Sequence, residues 1–249
     1  MSGHSKWSTI KRKKGAKDAA RGKVFSKLNK EIMVAARTGG GDPDANARLR
    51  RAISAARAQS MPNDNIDRAI KKATGDLAGV EYVEITFECY GPAGVAILVD
   101  TLTDNRNRTV PELRHLLSKR GYALAESGSA AHNFTRRGQV LVAIGDADTD
   151  ELFEIALEAG ADDASVQGDD YEVLCDISVL EDVARAFEKA DKNPREYGMI
   201  FHPNLWVPVA GDNARKCMEL IEAIEDNDDV QKVWANLDIS DEEMEALDL

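Results

Sequence analysis

Long apolar runs are missing from this chain of 249 residues: no stretch approaches the roughly 20 apolar residues that cross a bilayer as a helix. No apolar segment follows the charged start either, which argues against a secretory leader. Cysteine is scarce. Cys89, Cys175 and Cys217 are odd in number and form no Cys-x-x-Cys pair, so neither a disulfide framework nor a thiolate zinc site is indicated, and small core residues are expected. His4, His115, His132 and His202 lack a second His or Cys at ligand spacing. Also absent are G-x-S-x-G, H-E-x-x-H and any Cys/His arrangement that would activate a nucleophile. Asp146, Asp148 and Asp150 open like a calcium loop, but Glu151 stands where that loop needs glycine and Leu157 where it needs glutamate. Gly39-Gly40-Gly41 has no Gly-Lys-Ser or Gly-Lys-Thr after it, and reads as a connection between helices rather than a phosphate loop. No cofactor, metal or catalytic residue is therefore expected.

What is present is charge, unevenly placed. The net charge of −12 conceals a front of 80 residues with 18 Lys and Arg against 7 acids, a balance of +11; residues 81–249 hold 14 against 37, a balance of −23. A basic segment on an acidic body suits a nucleic-acid contact, because counterion release drives the cations onto phosphate while the acids are repelled. The first 17 residues contain no acid. Lys6, Lys11, Arg12, Lys13, Lys14 and Lys17 can neutralise phosphates there, and Trp7 can stack on an unpaired base or anchor the arm to the protein.

Behind the arm, helical periodicity sets cations apart from apolar stripes. Within 15–39, Val24, Phe25, Leu28, Ile32 and Ala35 form the stripe, and Lys23, Lys27 and Lys30 fall largely outside it. A second helix is expected to start at Asp42-Pro43 and to bury Leu49, Ala52, Ile53 and Ala56, leaving Arg50, Arg51 and Arg57 outside the seam. A third runs from Pro62-Asn63 to Gly75, burying Ile66, Ala69, Ile70 and Ala73 with Arg68, Lys71 and Lys72 turned away. These cations, with the arm and Trp7, are the candidate nucleic-acid contacts.

Beyond Gly79 the period changes. Val83 to Phe87 alternates, Gly94 to Leu102 is nearly continuous and apolar, and Tyr90-Gly91-Pro92-Ala93-Gly94 reads as the hairpin turn between them. Residues 104–108 read as a polar loop, with Thr109 capping a helix that ends at Gly121. From 139 to 206 the order is β-α-β-β-α-β, that of a ferredoxin-like unit. A short strand at 207–209, a helix at 213–226 and a strand at 230–237 are expected to complete the sheet begun at Val83. The fold class is thus α+β and multidomain: a basic helical domain (1–79), an acidic α/β domain (80–135 plus 206–249) and an inserted α/β domain (136–205), the last two ferredoxin-like.

Several stretches resemble the YebC/PmpR family, which includes the mitochondrial translational activator of cytochrome oxidase subunit I. They are GHSKWSTIKRKK (3–14), GGGDPDANARLRRAI (39–53), MPNDNIDRAIKKATG (61–75), YGPAGVAILVD (90–100), TDNRNRTVPELR (103–114) and DVQKVWANLDI (229–239). One departure is SGSAAHNF (127–134), where His132 occupies a position expected to be aromatic. The resemblance implies a helical N-terminal domain with two α/β domains, a cytoplasmic location and a non-enzymatic role in gene expression. Two targets remain open: promoter DNA, for a transcriptional regulator, or ribosomal RNA on the ribosome, for a factor that relieves stalling at consecutive prolines. No membrane partner is expected, and the acidic domains could meet a protein partner. Acid density alone leaves a metal-assisted hydrolase as the alternative from another class.

Overall fold

The computed structural model describes residues 18–75, 81–145 and 148–246. Three helices come first: α1 (Asp18–Gly39), α2 (Ala47–Ala58) and α3 (Asn63–Thr74). Ile32, Ala35 and Ala36 of α1, Leu49, Ala52, Ile53 and Ala56 of α2, and Ile66, Ala69 and Ala73 of α3 are buried. Ile70, expected in that stripe, is only half-buried.

The start of α2 differs from the Asp42-Pro43 expectation. Asp42 and Pro43 belong to a turn, and Asn46 is the cap: its Oδ1 accepts from the Leu49 N–H at 3.1 Å, while its Nδ2 donates to the carbonyls of Ala35 and Gly40, both at 2.8 Å. One side chain thus ties the end of α1 to the start of α2. The glycines between them serve this contact. A Cβ on Gly39 would lie 2.6 Å from the Asn46 amide, and Gly40 has φ +88°, a left-handed conformation that favours glycine.

Next come β1 (Val83–Tyr90), β2 (Ala96–Thr103) and α4 (Arg106–Ser118). The two strands pair antiparallel from Val83↔Thr103 to Tyr90↔Ala96; the turn expected over 90–94 joins them, with Tyr90 itself the last residue of β1. The stretch 104–108 is not a loop leading to a Thr109 cap. Asn105 caps α4 by accepting from the Arg108 N–H at 3.2 Å, and Thr109 sits fully buried one turn inside the helix. Its hydroxyl was recruited elsewhere, 2.7 Å from Asp229 Oδ2.

There follow β3 (Phe134–Ala143), α5 (Thr149–Glu158), β4 (Asp163–Gln167), β5 (Asp170–Cys175), α6 (Leu180–Lys189) and β6 (Pro194–Pro203), with strand order β4-β5-β3-β6. The chain ends in β7 (Val207–Pro208), α7 (Gly211–Glu225), β8 (Val230–Ala235), β9 (Leu237–Asp238) and α8 (Asp241–Ala246). β8 joins the first sheet, in the order β1-β2-β8. β7 does not: it pairs in parallel with β9, Val207 opposite Leu237, so that sheet has three strands.

Two compact units result. Among the described residues, one holds 18–27, 81–135 and 202–246, the other 28–75, 136–145 and 148–201. The first is built on Val95, Ile97, Val99, Leu113, Leu117, Leu220 and Ile221, packing α4 and α7 on one sheet face. Val140, Leu152, Val173, Val183 and Phe187 centre the sheet core of the second. The three cysteines are free and buried: Cys89 and Cys217 in the first core, Cys175 in the second. Burial pushes their thiols up to about 12 for Cys89 and about 11 for Cys175 and Cys217.

Candidate nucleic-acid interface

Lys6, Trp7, Lys11, Arg12, Lys13, Lys14 and Lys17 lie outside the described residues. The candidate cations of α1 to α3 divide into a bound set and an open set.

Lys23 and Lys27, four apart on α1, meet the end of α7. Lys23 Nζ lies 2.5 Å from Asp226 Oδ1, and Lys27 Nζ donates to the Glu225 carbonyl at 2.6 Å. The last carbonyls of a helix lack partners and carry the negative end of its dipole, so two ammonium groups there are favourable. The bond to Asp226 holds the Lys23 pKa above its ordinary value. Arg50 and Arg51 converge on one carboxylate, Glu181, in the first turn of α6: Arg50 Nη2 reaches Oε2 at 2.7 Å, and Arg51 Nη1 pairs with Oε1. Arg50 also donates to the Pro43 carbonyl at 2.9 Å. These four cations are engaged by the protein itself.

The open set lies on α2 and α3. Arg57 in the last turn of α2, and Lys71 and Lys72 in the last turn of α3, are exposed, and among the described residues no acid or carbonyl bonds to them. Arg68, also exposed, bonds among the described residues only within its own helix, to the Asp64 carbonyl at 3.0 Å and to Asn65. Lys30 is half-buried.

Two buried carboxylates explain motifs that composition alone leaves bare. Asp229 gathers TDNRNRT: Arg108 Nη2 donates to its Oδ2 at 2.7 Å, with the Thr109 and Thr103 hydroxyls 2.7 and 3.2 Å from the same oxygen. Glu88 organises SGSAA, accepting from the N–H groups of Gly128 and Ala130, both at 2.6 Å, and Ala131 at 2.9 Å. Burial pushes the Glu88 pKa up, but the three donors more than offset this, and the net shift is downward. A third, Glu172, bonds to Gln139 Nε2 at 2.5 Å, and burial raises its pKa. Each acid is held by the protein's own donors. Asp148, from the failed calcium pattern, accepts from the Asp150 N–H at 3.0 Å as a helix cap, while Asp146 lies outside the described residues. Among the described residues no three His, Cys, Asp or Glu side chains are placed to hold a metal ion, and no helix is long and apolar enough to cross a membrane.

The acidic region is locally basic, most strongly over 106–120. Residues 106–120 carry Arg106, Arg108, Arg114, Lys119 and Arg120 against Glu112 alone. A charge balance over a sliding window exposes it, whereas a single division at residue 80 averages it away.

Comparison with known proteins agrees with the motif pattern. Residues 5–76 match the family model described as the TACO1/YebC protein N-terminal domain, and residues 82–237 match that of the TACO1/YebC second and third domain. A probable transcriptional regulatory protein of Geobacter sulfurreducens is 53% identical over 247 residues, covering 99% of this chain and 100% of the relative. One from Acidithiobacillus ferrooxidans is 52% identical, covering 100% and 99%. The crystal structure of a conserved hypothetical protein from Aquifex aeolicus superposes with a TM-score of 0.83 at 40% identity, over 90% of this chain and 93% of that one. With two family models spanning it almost end to end and relatives matched over their whole length, the chain belongs to the TACO1/YebC family.

Proposed function

We propose that the protein is a non-enzymatic, cytoplasmic regulator of transcription that grips duplex DNA through its basic front. One observation carries the reading. After Lys23, Lys27, Arg50 and Arg51 are engaged inside the protein, the last turns of α2 and α3 still turn Arg57, Lys71 and Lys72 to solvent. Relatives along the whole chain are named probable transcriptional regulatory proteins. In this reading Lys6, Lys11, Arg12, Lys13, Lys14 and Lys17, with Arg57, Arg68, Lys71 and Lys72, face phosphate. The bound cations position α1 and α2. A basic helical domain (1–79) then acts as the grip, while phosphate repels the carboxylates of the acidic domain (80–135 plus 206–249) and of the inserted ferredoxin-like domain (136–205), which offer a protein-facing surface.

Phosphate contacts give affinity without sequence information. Trp7 favours a second target, ribosomal RNA, because an indole can stack on an unpaired base. The test is binding of the full chain to a fixed duplex DNA and to a structured RNA across a salt series. Reversing Lys11, Arg12, Lys13 and Lys14 to Glu should weaken duplex binding and reduce the slope of log K against log salt by about 3 to 4. An unchanged affinity and slope, or binding confined to RNA, refutes the reading.

A further inference from the structure

The cations of the acidic body are not evenly paired. Within 81–135 and 202–246, Arg215 and Lys216 pair with Asp212, Lys232 stacks over Trp234 at 5.4 Å, and Arg108 holds Asp104 and Asp229. The remaining four, Arg106, Arg114, Lys119 and Arg120, all lie on α4 and the turn that ends it. All four are exposed. Among the described residues none meets a carboxylate, and Arg120 donates only to the Leu116 carbonyl of its own helix, at 3.3 Å.

Helix electrostatics explains some of this and leaves a remainder. Cations at a helix C-terminus are favourable, which accounts for Lys119 and Arg120. The same dipole disfavours a cation in the first turn, where α4 has Arg106 and Arg108 and no acid. Arg108 is compensated by Asp229; among the described residues Arg106 meets no carboxylate. Its position costs stability, so local helix physics does not account for it. From Arg106 to Lys119 the helix rises about 20 Å, the axial length of about six base pairs.

We propose that α4 and the turn that ends it, through the exposed Arg106, Arg114, Lys119 and Arg120, contact the phosphate backbone of duplex DNA. The inference rests on the function proposed above. It deepens that function by giving the acidic body its own nucleic-acid contact. Charge complementarity selects the partner: four exposed cations that meet no carboxylate among the described residues, with Glu112 the one acid in 106–120, suit a polyanion.

The test uses the full chain and a mixed-sequence duplex, with affinity read from about 50 to 200 mM salt. The triple variant Arg106→Gln/Arg114→Gln/Lys119→Gln alters exposed side chains only. It should bind more weakly at low salt, and its slope should fall by about 2.7, so the wild type loses about 40-fold more affinity than the variant over that fourfold salt range. Arg185→Gln/Lys189→Gln removes two exposed cations from the other unit, controls for loss of positive charge away from α4, and should leave the slope unchanged. An unaltered slope in the triple variant overturns the proposal, as does an equal loss in the control. Loss of binding to polyglutamate, with DNA binding intact, also overturns it and assigns the face to an acidic protein. If the wild type binds and the arm reversal weakens it while the α4 variant does not, only this inference fails. If the wild type does not bind duplex DNA, the functional reading fails and takes this inference with it.

Discussion

Replacing Glu88 by glutamine keeps the side chain's shape and removes its charge, in a place where the charge is matched to three backbone donors. The carboxylate is 6% exposed; one oxygen takes the Gly128 N–H and the other those of Ala130 and Ala131. An amide can present its oxygen to only one of these sides. With the oxygen kept toward Ala130 and Ala131, the new NH2 faces the Gly128 N–H, leaving a donor unsatisfied at about 1–3 kcal/mol. The two retained bonds lose their charge assistance, about 1 kcal/mol together. The expected loss is about 3 kcal/mol at pH 7, read as a lower urea midpoint by tryptophan fluorescence and as faster hydrogen exchange at Ala130 and Ala131. The folded pKa of Glu88 lies below its ordinary 4.5, because the three donors outweigh burial and His132 adds a favourable charge. Its stabilisation is therefore complete above the unfolded pKa and fades as the pH falls through the folded value. The gap between wild type and variant should narrow below about pH 4.5. A gap under about 0.5 kcal/mol at pH 7, or one that widens on acidification, refutes the assignment.

Asp229→Ala removes the shared acceptor of Arg108, Thr103 and Thr109; about 3 kcal/mol should be lost at neutral pH in chemical denaturation, and a loss under about 1 kcal/mol would falsify its role as the anchor of α4. Glu181→Ala frees Arg50 and Arg51 at a cost of about 1 kcal/mol, since the ion pairs are partly solvated. Duplex affinity of this variant should hold or rise a few-fold at low salt; a fall in a folded variant would show that the convergence of the two arginines is itself needed for binding.

Much of the element order was legible because each segment buries a face of matching period. Leu49, Ala52, Ile53 and Ala56 mark one helix stripe, and the alternation from Val83 marks a strand. Caps were less legible. Asp42-Pro43 and Thr109 each carry a good local start signal, but Asn46 wins through carbonyls of the preceding helix, and Thr109 answers to an aspartate 120 residues away. The candidate interface shows the same limit. Sequence gives the sign of each charge and not its partner: Arg50 meets Glu181 across 131 residues, and nothing near Arg50 announces it. Counting cations therefore overstates the field that the front presents, while dividing the chain in two conceals the exposed cations of α4 and its end.

Thiolate is the form of cysteine that attacks electrophiles and peroxides, and at neutral pH the buried sulfurs scarcely populate it. Alkylation thus has to wait for breathing motions that admit water. Cys89 and Cys217 record such openings in one unit and Cys175 in the other, so the native molecule carries separate chemical clocks for the loosening of its two halves.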